Sequence, residues 1–424
     1  MGSLKVGVAE TDITPEPGLT MWGFIAREGP GTGARDTLRA RAFVFRDDAT
    51  TIGLVALDLG RPPTRDHCQA IREAAQAWGI DDVILLATHT HHAPSVELAD
   101  TPYGRRLESE IGATLKAAAD RLRPATMRIA KTLVPTIGHN RRAVGPDGRC
   151  TMVWRTHDAA DRGLTDPEAT WIVFEDAQGD AIGSLVHFAC HPVFMGPGNR
   201  QYSADYPGVL TARIAEATGA PCAFVQGACG DINPLMEVDA HGNPADGPDV
   251  MRRAGERLAE AVLASGLGLG EVASSDGAAV RFTRRELRVG FRRNYRDPAH
   301  YQAFVGENPY FQITLDAALA SADNEDAAFP VDISVLMLED VAAFVCTPAE
   351  VFVQYQLDLK ARTPIDAALL CGYTNGYAGY FPTVRDACAG GYGGDQGRIV
   401  ELGAADRLCA EALATAARMR FGEV

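Results

Sequence analysis

A chain of 424 residues with 46% hydrophobic and 22% charged side chains has a globular composition, which excludes wholesale disorder. Forty basic against fifty-five acidic residues give a net charge of −15 with no basic stripe, so no nucleic-acid partner is expected. No apolar run approaches the roughly 20 residues of a membrane helix, and the opening MGSLKVGVAETDITP lacks an apolar h-region, so stable membrane anchoring is not expected and the expected compartment is cytoplasmic.

In chain order, runs rich in Val, Ile and Phe predict strands over 5–10, 40–46 and 51–59. Helical spacing follows over 64–78, then the apolar strand DVILLAT over 82–88, a helix over 105–122 and an extended stretch over 127–134. Residues 135–168 mix Gly, Pro, Asp and Arg without periodicity and read as a long surface excursion. Strands at 170–175 and 182–190, a helix after Asp205, the strand PCAFVQ and a helix over 248–264 come next. Strands near 278–289, 331–338 and 341–346, a helix from Glu350, a strand over 367–372 and a helix from about Leu402 complete the pattern. The fold class is therefore α/β, with layered mixed sheets flanked by helices. Although the length would accommodate about three domain-sized units, no boundary is convincing, and residues 1–424 read as a single domain. The Gly/Ser-rich stretch 265–277 is the one weak internal boundary. No internal repeat is visible. Nine scattered cysteines without a C-x-x-C pair disfavour a disulfide framework and read as small buried hydrophobes.

The strongest chemical signal is Ala87-Thr88-His89-Thr90-His91-His92, directly after an apolar strand. Were the segment extended, His89 and His91 would point the same way, roughly 6.5 Å apart, at a strand's carboxyl end where α/β sheets often carry function. That suits ligands of two metals, or one ligand with a base beside it; loop histidines bonded to backbone fit the same pattern. In His187-Phe-Ala-Cys-His191-Pro192 the glutamate of a zincin helix is replaced by Phe188. His191, at the strand exit, is the ligand candidate there, and His187 reads as a core histidine. Glu350, in Thr347-Pro-Ala-Glu350, is expected at a helix amino end, which favours its ionised form. Two histidines and a glutamate at strand ends match a His2Glu zinc shell with one open position. The segment Gly372 to Tyr380 adds Tyr373, Tyr377 and Tyr380, which suit either a pocket or core packing. No G-x-S-x-G elbow, phosphate-binding loop or credible dinucleotide motif occurs, and Gly390–Gly397 reads as a flexible loop or lid.

Taken together, the chain resembles the catalytic domain of the neutral/alkaline non-lysosomal ceramidase family. The resemblance rests on an ordered set: VGVAETDITP (6–15), Met21-Trp22-Gly23-Phe24, LRARAFVF (38–45), ATHTHHAP (87–94), His139-Asn140-Arg141, HFACHPV (187–193), Ser203-Ala-Asp205-Tyr-Pro-Gly208, QGACGDINP (226–234), TPAEVF (347–352) and GYTNGYAGYFPT (372–383). It implies zinc as cofactor, with His89, His191, Glu350 and Tyr377 as ligands and Tyr373 or Tyr380 as alternatives to Tyr377. It implies His91 as the general base and Arg141 as a residue contacting or polarising the substrate. Tyr392 is the nearest match to the family's oxyanion-stabilising tyrosine. Two departures stand out: Asn233 replaces the family's serine, and the additional C-terminal β-domain of long ceramidases is not expected here. The expected activity is zinc-dependent hydrolysis of a linear amide in a small, non-ceramide substrate. Ester or lactone hydrolysis at the same site is the first alternative, and a non-catalytic binding protein on a degenerate site the second. Manganese or iron would also suit the ligand types. No oligomeric state is specified.

Overall fold

Strands covered on both faces read as nearly continuous apolar runs, because neither face can carry polar side chains. The computed structural model places the apolar runs in that setting. It describes residues 4–95, 101–158, 161–238, 241, 244–245, 247–266, 270–271, 279–307, 311–322 and 328–423.

Three sheets hold the long strands, and all three are connected in the same way. In the first, Lys5–Asp12 pairs antiparallel with Arg39–Arg46, which forms a hairpin with Thr51–Leu57. The helix Arg65–Gln76 then carries the chain across to Asp82–Ala87, parallel to Thr51–Leu57. In the second, the same roles fall to Thr126–Leu133, Glu168–Glu175, Ala181–Phe188, the helix Asp205–Thr218 and Cys222–Gln226. In the third they fall to Val280–Gly290, Ala328–Leu338, Ala342–Cys346, the helix Val353–Arg362 and Ala367–Cys371. A tight turn suffices for the hairpin, whereas the parallel partner requires a crossover, and a helix supplies it each time. The repetition lies in connectivity alone; the sequence carries no repeat.

Alternation along each strand sends side chains into two different cores. On Arg39–Arg46, Ala42 and Val44 face a core beneath helices, while Phe43 and Phe45 enter a core to which all three sheets contribute. The ring of Phe45 lies 5.3 Å from that of Phe174 in the second sheet, and Leu336, Phe344 and Leu369 of the third join the same cluster. Helices Arg65–Gln76, Pro102–Ala119, Asp205–Thr218 and Pro248–Ser265 cover the outer faces of the first two sheets through residues such as Ile71, Leu115, Leu210 and Leu258. Gln312–Ser321, Val353–Arg362 and Ala404–Arg420 cover the third through Leu315, Leu359 and Leu408. Each such buried side chain contributes about 1.5–3 kcal/mol. Gly7 permits the close approach of Pro102–Ala119: a Cβ there would lie 2.0 Å from the Ala118 carbonyl oxygen.

Several expectations are corrected. Glu350 does not begin a helix: Glu350–Val351 is a short strand parallel to Tyr380–Phe381, and the helix starts at Val353. Segment 135–168 is only partly a surface excursion, because Gly138–Asn140 pairs with Ile232–Pro234 and buries His139, Arg141 and Arg142. The glycine run after 390 is packed rather than free, with Gly393 against Phe352 and Tyr380 and Gly397 against Phe311. Helices Pro298–Glu307 and Gln312–Ser321 were not expected. Most of 265–277 lies outside the described residues. All nine cysteines are free, with Cys388 the exposed one. Among the described residues no helix is long and apolar enough to cross a membrane.

Candidate metal centre

The shared connectivity brings the carboxyl ends of the parallel strand pairs together, and the polar side chains gather there. Gln226, the last residue of Cys222–Gln226, ties three of these ends. Its Nε2 donates to the carbonyls of Thr88 (3.0 Å) and Cys190 (2.9 Å), its Oε1 accepts from Cys190 N (3.3 Å), and its carbonyl accepts from Gly372 N (3.2 Å). The residues after Thr88, Cys190 and Gly372 are His89, His191 and Tyr373.

The pair His89 and His91 does not meet through an extended backbone. His89 has φ 65°, in the left-handed region, and the turn this creates brings the two Nε2 atoms to 3.2 Å. The Nδ1 of His89 lies 2.6 Å from the Gly60 carbonyl and that of His191 lies 3.0 Å from the Ile232 carbonyl. A carbonyl only accepts, so each Nδ1 carries a proton, which leaves each Nε2 to present a lone pair whenever the ring is neutral. Both Nε2 atoms face Oε2 of Glu350, at 3.5 Å and 3.3 Å. Lone pairs aimed at a carboxylate with no proton between them repel unless a cation lies among them. The Nε2 of His191 is buried and without a hydrogen-bond partner, as a ligand atom would be.

Protonation of His191 does not supply that cation at neutral pH. Burial, reinforced by the charge of Arg141, pushes the His191 imidazole down to about 4. Burial of the Glu350 carboxyl by itself opposes ionisation, but positive charge on His89 and His191, in their protonated forms, outweighs it and holds the group well below the usual carboxylate range. Glu350 Oε1 accepts from the Tyr377 hydroxyl, and Oε2 from the Tyr373 hydroxyl at 3.4 Å. Tyr373 also stacks on His89 with ring centroids 3.8 Å apart. Among the described residues, His89, His91 and His191 form a cluster whose ligand atoms all lie within 4.8 Å of one another. With the adjacent Glu350 carboxylate and the Tyr377 phenol, the donors are nitrogen and oxygen atoms of the kind zinc accepts.

His91 is half-buried, and burial, followed by the neighbouring His89 and His191, lowers its pKa well below the ordinary value. It is therefore neutral and able to take a proton. Arg141 forms the facing wall. Its Nη2 donates to the Gly230 carbonyl (2.7 Å) and the Tyr380 hydroxyl (3.0 Å), and its Nη1 to Asn233 Oδ1 (3.1 Å). The guanidinium lies 5.3–5.6 Å from the rings of Trp154, Tyr380 and Tyr392. Burial and the charge of Glu350 push the Tyr392 phenol up to about 12, so it remains a proton-bearing donor. Asn233 donates from Nδ2 to the Trp154 carbonyl at 2.9 Å. His187 stands apart, its Nε2 on the Leu370 carbonyl at 3.0 Å, in the core.

All the residues singled out from sequence as ligands, base or wall thus converge on one place. Sequence reasoning did not single out Gln226 or Asp231. A polar residue ending an apolar strand was the available signal for Gln226. Asp231 accepts from Val353 N (2.8 Å) and Asn140 Nδ2 (2.7 Å) behind Arg141, contacts that no local pattern reveals.

Comparison with known proteins agrees with this architecture. Residues 4–237 match the family model described as neutral/alkaline non-lysosomal ceramidase, N-terminal. The chain belongs to that family. Among curated relatives, the neutral ceramidase of Mycobacterium tuberculosis is 25% identical over 273 residues, 58% of this chain and 42% of that protein. The neutral ceramidase of Pseudomonas aeruginosa is 26% identical over 314 residues, 68% of this chain and 46% of that protein. The chain thus spans less than half the length of either curated relative. The crystal structure of the Pseudomonas aeruginosa neutral ceramidase superposes with a TM-score of 0.77 at 18% identity, covering 100% of this chain and 75% of that one. The fold is shared.

Proposed function

We propose that the protein, working as one catalytic unit, is a zinc-dependent hydrolase of a linear amide bond in a small N-acyl substrate other than ceramide. His89, His191, Glu350 and Tyr377 would hold the ion, and the observation carrying this reading is the pair of imidazole lone pairs converging on the Glu350 carboxylate. A zinc ion bound there would polarise the scissile carbonyl and bring a water's pKa towards about 7.

The remaining work falls to the chain itself. His91, neutral and beside the ligands, accepts the proton of the attacking water and returns it to the leaving amine. The Nε of Arg141 is buried and lacks a hydrogen-bond partner, so it is a donor held ready for the substrate's carbonyl oxygen. Arg141 and Tyr392 together receive the charge that develops there, a contribution of about 3–4 kcal/mol per donor in comparable sites. Amide cleavage is favoured because the curated relatives are named as ceramidases, whose bond is an amide. A substrate other than ceramide is proposed because Asn233, which accepts from Arg141 and donates to the Trp154 carbonyl, stands where the resemblance expects a serine. The cytoplasm is the compartment proposed.

The test is metal content of the purified protein beside His191→Ala, followed by matched amide and ester substrates. About one zinc per chain, lost in the variant, with turnover of amides, is the expected result. Turnover of esters alone would replace the amidase reading with an esterase one, and no metal after zinc reconstitution would leave a binding protein.

A further inference from the structure

General bases are usually oriented by a third group bonded to the ring nitrogen that does not act. His91 has no such partner, since its Nδ1 is buried without a hydrogen bond. The ring is held instead by its surroundings. Gly23 lies directly against it, and a Cβ at that position would come within 2.3 Å of the His91 Cγ. Phe24 meets it edge-on with centroids 5.0 Å apart.

One side chain gathers these pieces. The Arg27 guanidinium donates from Nη2 to the His91 carbonyl (2.7 Å), from Nη1 to the Trp22 carbonyl (2.8 Å) and from Nε to the Asn199 carbonyl (3.1 Å). Its Nη2 also lies 3.1 Å from His92 Nδ1, and Asn199 Nδ2 approaches the same nitrogen at 3.1 Å. Both neighbours are donors there, so His92 Nδ1 is the unprotonated acceptor and the ring proton resides on Nε2. That Nε2 faces Asp205 Oδ2 at 3.4 Å. The Arg27 guanidinium also covers the Phe24 ring at 4.9 Å. Residues 22–24, which form the cradle, and residues 91–92, which carry the base, are therefore fixed to each other through Arg27. None of these bonds reaches His89, His191 or Glu350.

We infer that Arg27 is a positioning residue for His91, acting through the His91 backbone carbonyl and the His92 ring. The inference rests on His91 being the general base of the proposed hydrolase. A base displaced by about 1 Å loses on the order of 100-fold in rate. Arg27→Met is therefore expected to lower kcat by between about 10- and 100-fold with KM within about twofold, while zinc per chain stays at the wild-type value.

Two further readouts separate positioning from general support of the fold. In long-range proton–nitrogen spectra of protein labelled on its histidine rings, His92 Nδ1 resonates as unprotonated in the native chain and moves towards a mixed tautomer in Arg27→Met. In Arg27→Ala, added guanidinium restores part of kcat. Should Arg27→Met fail to fold, Arg27→Lys takes its place; a single ammonium cannot reach all four acceptors, and the same loss in kcat at constant zinc is expected. Unchanged kcat together with an unchanged His92 signal overturns the role of Arg27. Full activity of His91→Ala overturns the base reading instead, whatever the Arg27 variants do.

Discussion

Among the described residues six non-glycine residues have left-handed backbone, and four of them, His89, Asp205, Tyr373 and Asn375, belong to the candidate centre or to segments packed beside it. Conformations of this kind persist only where surrounding contacts dictate them. At Tyr373 the contacts are the His89 ring, the Glu350 carboxylate and the Cys229 thiol at 3.1 Å. Tyr373→Phe removes the hydroxyl and keeps the stack, so zinc affinity should fall about tenfold, at the lower end for groups that support a metal ligand, with unfolding hardly altered; competition with a zinc-binding dye measures it. Asp205 offers a pH signature. Burial, with Asp36 adding to it, raises its carboxyl to about 7, although the Tyr206 amide opposes the rise. A folded-state pKa above the unfolded value of about 4 means that the native state binds the proton more tightly. Its ionisation therefore removes stability as pH rises from about 4 to 7, and the loss is complete above 7. Asp205→Asn lacks this dependence. Urea unfolding at pH 5 and pH 8 should show the variant gaining on the wild type by about 2 kcal/mol at the higher pH; a constant difference would show that Asp205 does not titrate in this window.

The loop from Gly372 to Gly379 shows how an element gains its shape from distant contacts. Asn375 donates from its backbone to the Leu85 carbonyl (2.8 Å) and accepts from the Leu85 amide on its Oδ1 (3.0 Å), so it pairs with the edge of Asp82–Ala87 as a further strand residue would. Alanine at 375 would leave the Leu85 amide buried and unpaired in a left-handed position that alanine resists, costing about 2–4 kcal/mol. Asn375→Asp keeps the acceptor and should recover most of that loss in denaturant titrations. The strands were legible because double-sided burial leaves continuous apolar runs, as in Ile52 to Leu57 or Ala342 to Cys346. Gln312–Ser321 was not, since it carries apolar residues around its circumference, with Leu315 buried and Ile313 exposed. Glu350 was identified as a candidate ligand but placed on the wrong element, because its partner Tyr380 is thirty residues away and only the fold brings the two into register. Arg27 was illegible as a site residue for the same reason: among its acceptors is the Asn199 carbonyl, 172 residues distant.

At the scale of the molecule, three sheets of one connectivity bring their crossover ends to a single point, and each supplies a ligand candidate. His89 follows the first sheet, His191 the second, and Glu350 with Tyr377 the third. Without a cation and with the rings neutral, that arrangement holds a buried carboxylate and imidazole lone pairs against one another at 3.3–3.5 Å, a repulsive contact that all three sheets must support. A bound ion reverses the sign and fastens the sheets together. Metal should therefore act on the stability of the whole chain rather than on one loop. At free zinc about 100 times the dissociation constant, binding to the folded state alone contributes about 2.7 kcal/mol, which for a chain of this size raises Tm by roughly 3–6 °C. Thermal unfolding of the wild type should lose that increment after chelation and regain it with zinc. His191→Ala should unfold at one temperature whether or not zinc is added. The third sheet supplies the sharpest comparison: Glu350→Gln removes the carboxylate charge and with it the lone-pair repulsion. Its metal-free form should unfold at or above the temperature of the metal-free wild type, and zinc should leave it unchanged. A metal-free Glu350→Gln protein less stable than the metal-free wild type would mean that the centre is held by its hydrogen bonds, without the electrostatic tension that points to a cation.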